Sequence, residues 1–145
     1  MGYRSLVMAL VTFAAWLLLR PLRFANFASP DSNGEIFTTT VTIANGQSLS
    51  GSVDLQSYSL VGLVMPAVWT AAAITFQGSV DNVSFFDVCD QNAEINVGAA
   101  AANKYILLSP ATFVGLRYLK IQSGTNAVPV NQGQESTVTL VLRGL

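Results

Sequence analysis

The sequence predicts an all-β domain over residues 36–145, an antiparallel β-sandwich or jelly roll of about nine strands. Three observations predict it. Apolar and polar residues alternate with a period of two through most of the region. Asn-Gly, Asp-Asn and Pro separate the alternating stretches, as turns do. No strand–helix–strand alternation occurs, so a parallel sheet is not expected.

Each predicted strand follows from its own pattern of residues. Residues 36–43 place Val41 and Ile43 on one face and threonines on the other, and Asn45-Gly46 predicts the turn that follows. Residues 58–65 are apolar almost throughout, which is typical of a central strand buried on both faces. Residues 110–115 fit a single helical turn. The predicted strands are residues 36–43, 49–55, 58–65, 72–76, 83–88, 93–97, 104–108, 116–122 and 136–143.

The chain preceding this domain has a different pattern. Residues 1–30 contain an uncharged apolar stretch at residues 5–19, which is short for a membrane span and suits a secretory signal. Arginines directly after that stretch hinder export, so an assembly arm or a misassigned start is the alternative to a signal or anchor. Residues 31–35 are predicted to be a linker. Contact with a membrane is expected only through residues 5–19.

Composition excludes several classes of function. Only 10% of the residues are charged, and beyond residue 30 four cations face eight acids, a net charge of −4. Such a domain lacks the basic surface that nucleic-acid phosphates require. The chain has no histidine, which removes the usual general base and the Ser-His-Asp and Cys-His arrangements. We therefore expect neither an enzyme nor a bound cofactor.

Two small groups of residues are candidates for metal or redox chemistry. Asp87, Asp90 and Glu94 lie close together in the sequence and offer oxygen ligands of the kind that Ca²⁺ takes, although a solvated acidic loop beside a strand end is the favoured interpretation. Cys89 is the single cysteine, so no intrachain disulfide forms. We expect it to be a buried or half-buried small apolar residue.

Four residues are candidates for binding or assembly. Trp69 follows a proline in a predicted loop, where an exposed indole could stack on a sugar ring or a neighbouring subunit; the favoured interpretation is a plug at the end of the sandwich core. Asp81 and Asn82 form the predicted tight turn, with Asn82 supplying the positive φ. Phe86 lies on the returning strand of the same hairpin.

One resemblance concerns this hairpin. Residues 74–85 (ITFQGSVDNVSF) look like the strand–turn–strand of discoidin-like, galactose-binding-like jelly rolls, with Asn82 in place of the usual glycine. Residues 104–106 and 138–143 fall where that fold has an Arg-Tyr-hydrophobic strand and its closing strand. The resemblance covers residues 60–143. It implies a jelly roll, and it carries no sugar contact over to this chain.

A second resemblance concerns most of the domain. Residues 44–50 (ANGQSLS), 64–70 (VMPAVWT), 123–125 (SGT) and 129–133 (PVNQG) are similar to small proteins encoded among the structural genes of tailed phages and prophages. This resemblance implies a virion component, such as a capsid decoration (cement) protein or a part of a tail. The hydrophobic N-terminus departs from that pattern.

Together these observations favour a non-enzymatic virion structural protein that assembles with itself, with a trimer as the expected form, and with other virion proteins. The alternative is a secreted or surface carbohydrate-binding module with glycans as partners. Self-assembly is expected because soluble monomers defend the edges of their sheets with charges or proline. Residues 36–43 and 136–142 carry no charge, and residues 49–55 carry only Asp54. Any of these strands that forms an edge should be covered by another subunit.

Overall fold

A computed structural model describes residues 34–145. The predictions for residues 1–30 and for most of the linker lie outside the described residues. The described part is almost entirely β-structure, as predicted. Its elements are β1 (Ile36–Ile43), β2 (Val53–Asp54), β3 (Tyr58–Val64), β4 (Ala72–Ser79), β5 (Phe86–Asp87), β6 (Cys89–Asp90), β7 (Ala93–Glu94), β8 (Ala99–Ala100), β9 (Tyr105–Leu107), α1 (Pro110–Phe113), β10 (Tyr118–Ser123) and β11 (Ser136–Gly144).

The strands form two antiparallel sheets and one small hairpin. The first sheet has the order β1-β11-β3-β9, and the second has the order β2-β10-β4-β5, with β8 also paired to β4. Strands β6 and β7 pair with each other. In the first sheet β1 pairs with β11 along its whole length, from Ile36 opposite Arg143 to Ile43 opposite Ser136. All pairings in the described residues are antiparallel, so the predicted sandwich architecture is confirmed.

The core lies between the two sheets and excludes water from both inner faces. Period-two alternation is the cause, because every second side chain of a strand points to the same face. Phe113 of α1 joins this core and meets Phe76 edge to face, with ring centroids 4.9 Å apart. The fully buried apolar residues are Ile43, Leu55, Leu60, Leu63, Ile74, Phe76, Leu119, Ile121, Val138 and Leu140.

The long strands and the short β9 are found where the sequence predicts them, although β4 extends three residues past its predicted end. Strands β1, β3, β10 and β11 lie within two residues of their predicted bounds. The strand predicted at residues 49–55 is reduced to β2 with one further bridge at Leu49, and the one predicted at residues 83–88 is reduced to β5. At residue 50 the side-chain hydroxyl of Ser50, and not a backbone carbonyl, accepts from the Ile121 amide. At residues 83–84 the amides donate to the Asp81 carboxylate and close a local turn.

Two further strands, β6 and β8, were not predicted. Each is two residues long, too short for a pattern of period two to show. The single helical turn predicted at residues 110–115 is confirmed as α1, with Pro110 in its first turn. Within residues 34–145 no helix is long and apolar enough to cross a membrane.

Candidate assembly surface

Strand β1 lies at one edge of the first sheet, and its backbone shows which groups are left open there. Residues of an antiparallel strand direct their N–H and C=O groups alternately to one side and the other. The Gly144 amide donates to the Glu35 carbonyl at 3.0 Å, so the odd-numbered residues of β1 hydrogen-bond to β11. The even-numbered residues therefore point their amides and carbonyls away from β11. No other strand of the described residues pairs there. These residues, which we call the open edge, are Ile36, Thr38, Thr40 and Thr42.

The side chains of the open edge lie on the outer face of the first sheet. The three threonines are exposed, and Ile36 is 57% exposed. The strand register places Thr137 and Thr139 of β11 beside them, and the hydroxyls of Thr42 and Thr137 lie 2.9 Å apart. We call these residues and their neighbours on β3 and β9 the threonine face. Its members, all uncharged, are Thr38, Thr40, Thr42, Gly62, Val64, Tyr105, Leu107, Thr137, Thr139 and Val141, and the exposed Arg143 lies opposite Ile36 at the end of this face.

The β9 side of the threonine face is apolar. Leu107 is 80% exposed and Tyr105 57%. The Tyr105 ring lies over Gly62, and its Cε1 atom is 2.9 Å from the position that a Cβ atom of residue 62 would take. Gly62 is the one residue of β3 without a side chain, so the ring fills the space above it. The surface therefore changes from hydroxyls at β1 to an aromatic ring and a leucine at β9.

The edges of the second sheet differ from the open edge. Strand β2 has only two residues, and its Asp54 pairs with Arg117, with Nε 2.7 Å from Oδ1 and Nη2 2.9 Å from Oδ2. The pKa of Arg117 is raised, first by this hydrogen bond and then by the charge of Asp54. On the far side of β4, the amides of Val88 and Val97 donate to carbonyls of β4 at 2.9 Å. Short strands, irregular chain and an ion pair thus close this sheet against further pairing.

Trp69 is buried, with 9% of its surface exposed, so it offers no exposed indole for stacking. It packs within the core, as the favoured interpretation of a core plug predicted. The neighbouring Thr70 is held by Gln132, whose Oε1 accepts from the Thr70 amide at 2.8 Å and whose Nε2 donates to the Thr70 carbonyl at 3.2 Å. Because Gln132 lies 62 residues further along the chain, no local pattern could have predicted this contact.

Asp81 and Asn82 form the turn that follows β4. Asp81 Oδ1 accepts hydrogen bonds from the amides of Val83 and Ser84, both at 2.8 Å, and from the Ser79 hydroxyl at 2.9 Å. The Ser84 amide bond, followed by those of Val83 and Ser79, lowers the pKa of Asp81. Asn82 has φ of 60°, as predicted. The carboxylate is committed to the turn, so this pair organises the hairpin.

Phe86 is 71% exposed and stands at the rim of a groove of about 350 Å³. The groove floor is Gly78, where a Cβ atom would come 2.9 Å from Leu116 Cδ2. A second groove of about 330 Å³ adjoins the first and shares Val88 and Cys89 with it. Cys89 is exposed, so its predicted burial is wrong. It lies in the two-stranded hairpin of β6 and β7, outside the two large sheets.

The three acidic candidates for calcium do not form a site. Asp87 Oδ1 accepts from the Gln77 side chain at 3.4 Å, and Glu94 Oε1 accepts from the Asn126 amide at 2.9 Å. Asp90 is exposed on β6. Among residues 34–145 no group of three acidic, cysteine or histidine side chains is arranged to hold a metal ion.

No protein-family model matches the sequence, and no curated protein matches it either. The structure is similar to the crystal structure of the SPBc2 prophage-derived protein YomS, with a TM-score of 0.48 and 13% sequence identity. The matched region covers 74% of this chain and 94% of that one. A similarity of this size assigns neither a family nor a function to the chain.

Proposed function

We propose that this chain is a non-enzymatic structural protein of a virion, a capsid decoration or tail-associated protein that assembles through its first sheet. The observation that carries the proposal is the open edge beside the uncharged threonine face. Soluble monomers blunt such edges with lysine, proline, bulges or short strands. Strand β1 has eight residues and none of these devices, which suits a surface that is covered in the working state.

The chemistry of the chain supports a protein that acts by contact area. It contains no histidine, and in the described residues the most strongly hydrogen-bonded carboxylate, Asp81, is committed to a turn. The resemblance of residues 44–50, 64–70 and 129–133 to small structural proteins of tailed phages is the reason for proposing a virion as the assembly. Its partners are then further copies of the chain and neighbouring virion proteins.

The alternative of a carbohydrate-binding module depended on an exposed indole at Trp69. Because Trp69 is buried, no exposed tryptophan of the described residues offers a stacking platform for a sugar ring. We therefore do not propose glycan binding.

The proposal is tested on purified particles of the virus that encodes the chain. Particles are banded in a density gradient, washed in high salt and analysed by mass spectrometry and immunogold labelling. We expect the full chain to remain with the particles in many copies. Recovery of the chain only in the soluble fraction of the lysate, with none on washed particles, would contradict a virion role.

A further inference from the structure

We infer that the occupant of the open edge is a second copy of this chain, whose β1 pairs antiparallel with the first across a two-fold axis through Thr39. This inference rests on the proposed function and names the partner of that surface. The first sheets of two copies would then form one continuous eight-stranded sheet with the two β1 strands at its centre.

The register follows from which residues face outward. In an antiparallel pair, two hydrogen-bonded residues both direct their amides and carbonyls towards each other. Only the even-numbered residues of β1 direct these groups away from β11, towards a second copy. Ile36 therefore cannot pair with Ile43, because the backbone groups of Ile43 are directed inward and bond to β11. The longest allowed symmetric register pairs Ile36 with Thr42 and Thr38 with Thr40.

This register satisfies every open group between Ile36 and Thr42. Four residues in each copy contribute one amide and one carbonyl each, so the two-fold contact forms about eight hydrogen bonds. The threonine faces of the two copies meet side by side, and no charge of either β1 is brought against the other. Thr39 lies on the axis in a pair without hydrogen bonds, where Cα atoms are about 4.5 Å apart.

The other described edges cannot replace β1 as its partner. Strand β9 has three residues and β2 and β5 have two each, so none matches an eight-residue strand. A trimer would need β1 to pair with a different edge of the next copy, which is a heterologous contact. Self-pairing of β1 is isologous and closes after two copies. We therefore propose a dimer in place of the trimer expected from the sequence.

The area of contact fits a reversible dimer. The seven residues from Ile36 to Thr42 span about 23 Å, and the edge of one sheet is about 10 Å deep. The β1 strands of the two copies would together bury roughly 500 Å², about half of the usual lower limit for a stable interface, so the dimer is weak and forms at high concentration. We expect dissociation in the micromolar range in solution and full pairing where many copies are held together.

The first experiment measures the mass of the full chain by sedimentation velocity across a range of micromolar concentrations. The wild-type chain and Thr137→Lys should form dimers, whereas Thr40→Lys should weaken dimerisation at least tenfold. Both variants add one lysine to the threonine face, but only Thr40 lies on the open edge. Thr38→Pro, which removes an outward amide, should weaken dimerisation as well. Circular dichroism confirms that each variant is folded.

The second experiment tests the register by disulfide formation in full-length Cys89→Ser. Thr39→Cys should give a covalent dimer on mild oxidation, because Thr39 meets its own counterpart. Thr42→Cys should not, although Thr42 is more exposed, since the two copies of Thr42 lie about 20 Å apart in this register.

A trimer, a monomer at all concentrations, a dimer unaffected by Thr40→Lys, or crosslinking at Thr42 instead of Thr39 would each overturn the inference. A chain that remains on washed virions while failing these tests would retain the proposed function and lose only this interface. A chain that dimerises as described but is absent from virions would retain the interface and lose the proposed function.

Discussion

The two sheets of this sandwich treat their edges in opposite ways. The second sheet ends in two-residue strands, with an Asp54–Arg117 ion pair on one side and irregular hydrogen-bonded chain on the other. The first sheet ends in the three-residue β9 on one side and in the eight-residue, uncharged β1 on the other. Among the described residues only β1 is a long strand at the edge of a sheet, and our proposal places further pairing there.

The loops that follow β1 and β10 extend this comparison, and they give the largest expected effect on stability. Gly124, after β10, has φ of 88°, and a Cβ atom there would overlap the Val128 carbonyl oxygen and lie 2.6 Å from the Val130 amide. Gly46, after β1, has φ of 76° and open space around it. We expect Gly124→Ala to lower the free energy of unfolding by about 3 kcal/mol or more, through strain and overlap together.

The matched variant Gly46→Ala keeps the backbone strain without the overlap. It should lower the free energy of unfolding by about 1–2 kcal/mol. Urea unfolding of both variants measures the difference. Equal losses would show that the end of the second sheet is no more tightly closed than the loop after β1.

Neutralising the ion pair at β2 tests whether charge protects this edge from pairing, and its expected effect on stability is smaller than that of Gly124→Ala. The double variant Asp54→Asn/Arg117→Gln removes both charges from that edge, and Tm should fall by a few degrees at most because the pair is exposed to solvent. The oligomeric mass should stay that of the wild-type chain, because a two-residue strand offers too few open groups to pair. If light scattering showed that the double variant forms larger assemblies, the charges of the ion pair, and not the short length of β2, would be what prevents intermolecular pairing at this edge.

The smallest effect on stability is expected at Asp81, where the variant removes the charge of an exposed carboxylate and leaves the packing of the core unchanged. Its pKa is lowered in the folded chain, first by the Ser84 amide, so the ionised carboxylate stabilises the fold above the ordinary pKa of 3.8. That stabilisation is lost as pH falls through the lower folded value. Asp81→Asn should therefore be slightly less stable than the wild-type chain at pH 7, and the difference should shrink as pH falls below 3.8 and through the lower folded pKa.

Asp90→Asn is the matched control for Asp81→Asn. Asp90 is also exposed, and its side chain accepts no hydrogen bond from the described residues, so this change should leave the free energy of unfolding nearly unchanged at pH 7. A gap between Asp81→Asn and the wild-type chain that persists at low pH would show that the turn depends on shape and not on charge.

The sequence predicted the architecture well where a strand is long enough for its period to show. Strands β1, β3 and β11 have seven to nine residues each; alternation marked β1 and β11, and a continuous apolar run marked the central β3. The two-residue strands carry no such pattern. Their pairing is set by distant partners, as when Ala99 of β8 pairs with Ala73 of β4.

The assembly surface could be predicted only in part. Absence of charge singled out residues 36–43 and residues 136–142 alike, but β11 lies between β1 and β3, so only β1 is an edge. Strand order depends on pairings across a hundred residues, which local patterns do not contain. Cys89 was expected to be buried and is exposed for the same reason, because the β6–β7 hairpin carries it outward.

Hydrogen exchange at the amides of β1 tests the central claim most directly. In the full-length wild-type chain above the dissociation constant, followed by NMR, we predict slow exchange at the even-numbered Thr38, Thr40 and Thr42 as well as at the odd-numbered Thr39 and Val41. Dilution, or Thr40→Lys, should release the even-numbered amides alone. An alternating pattern at high concentration, with odd-numbered amides slow and even-numbered amides fast, would contradict the claim that a second copy covers the open edge.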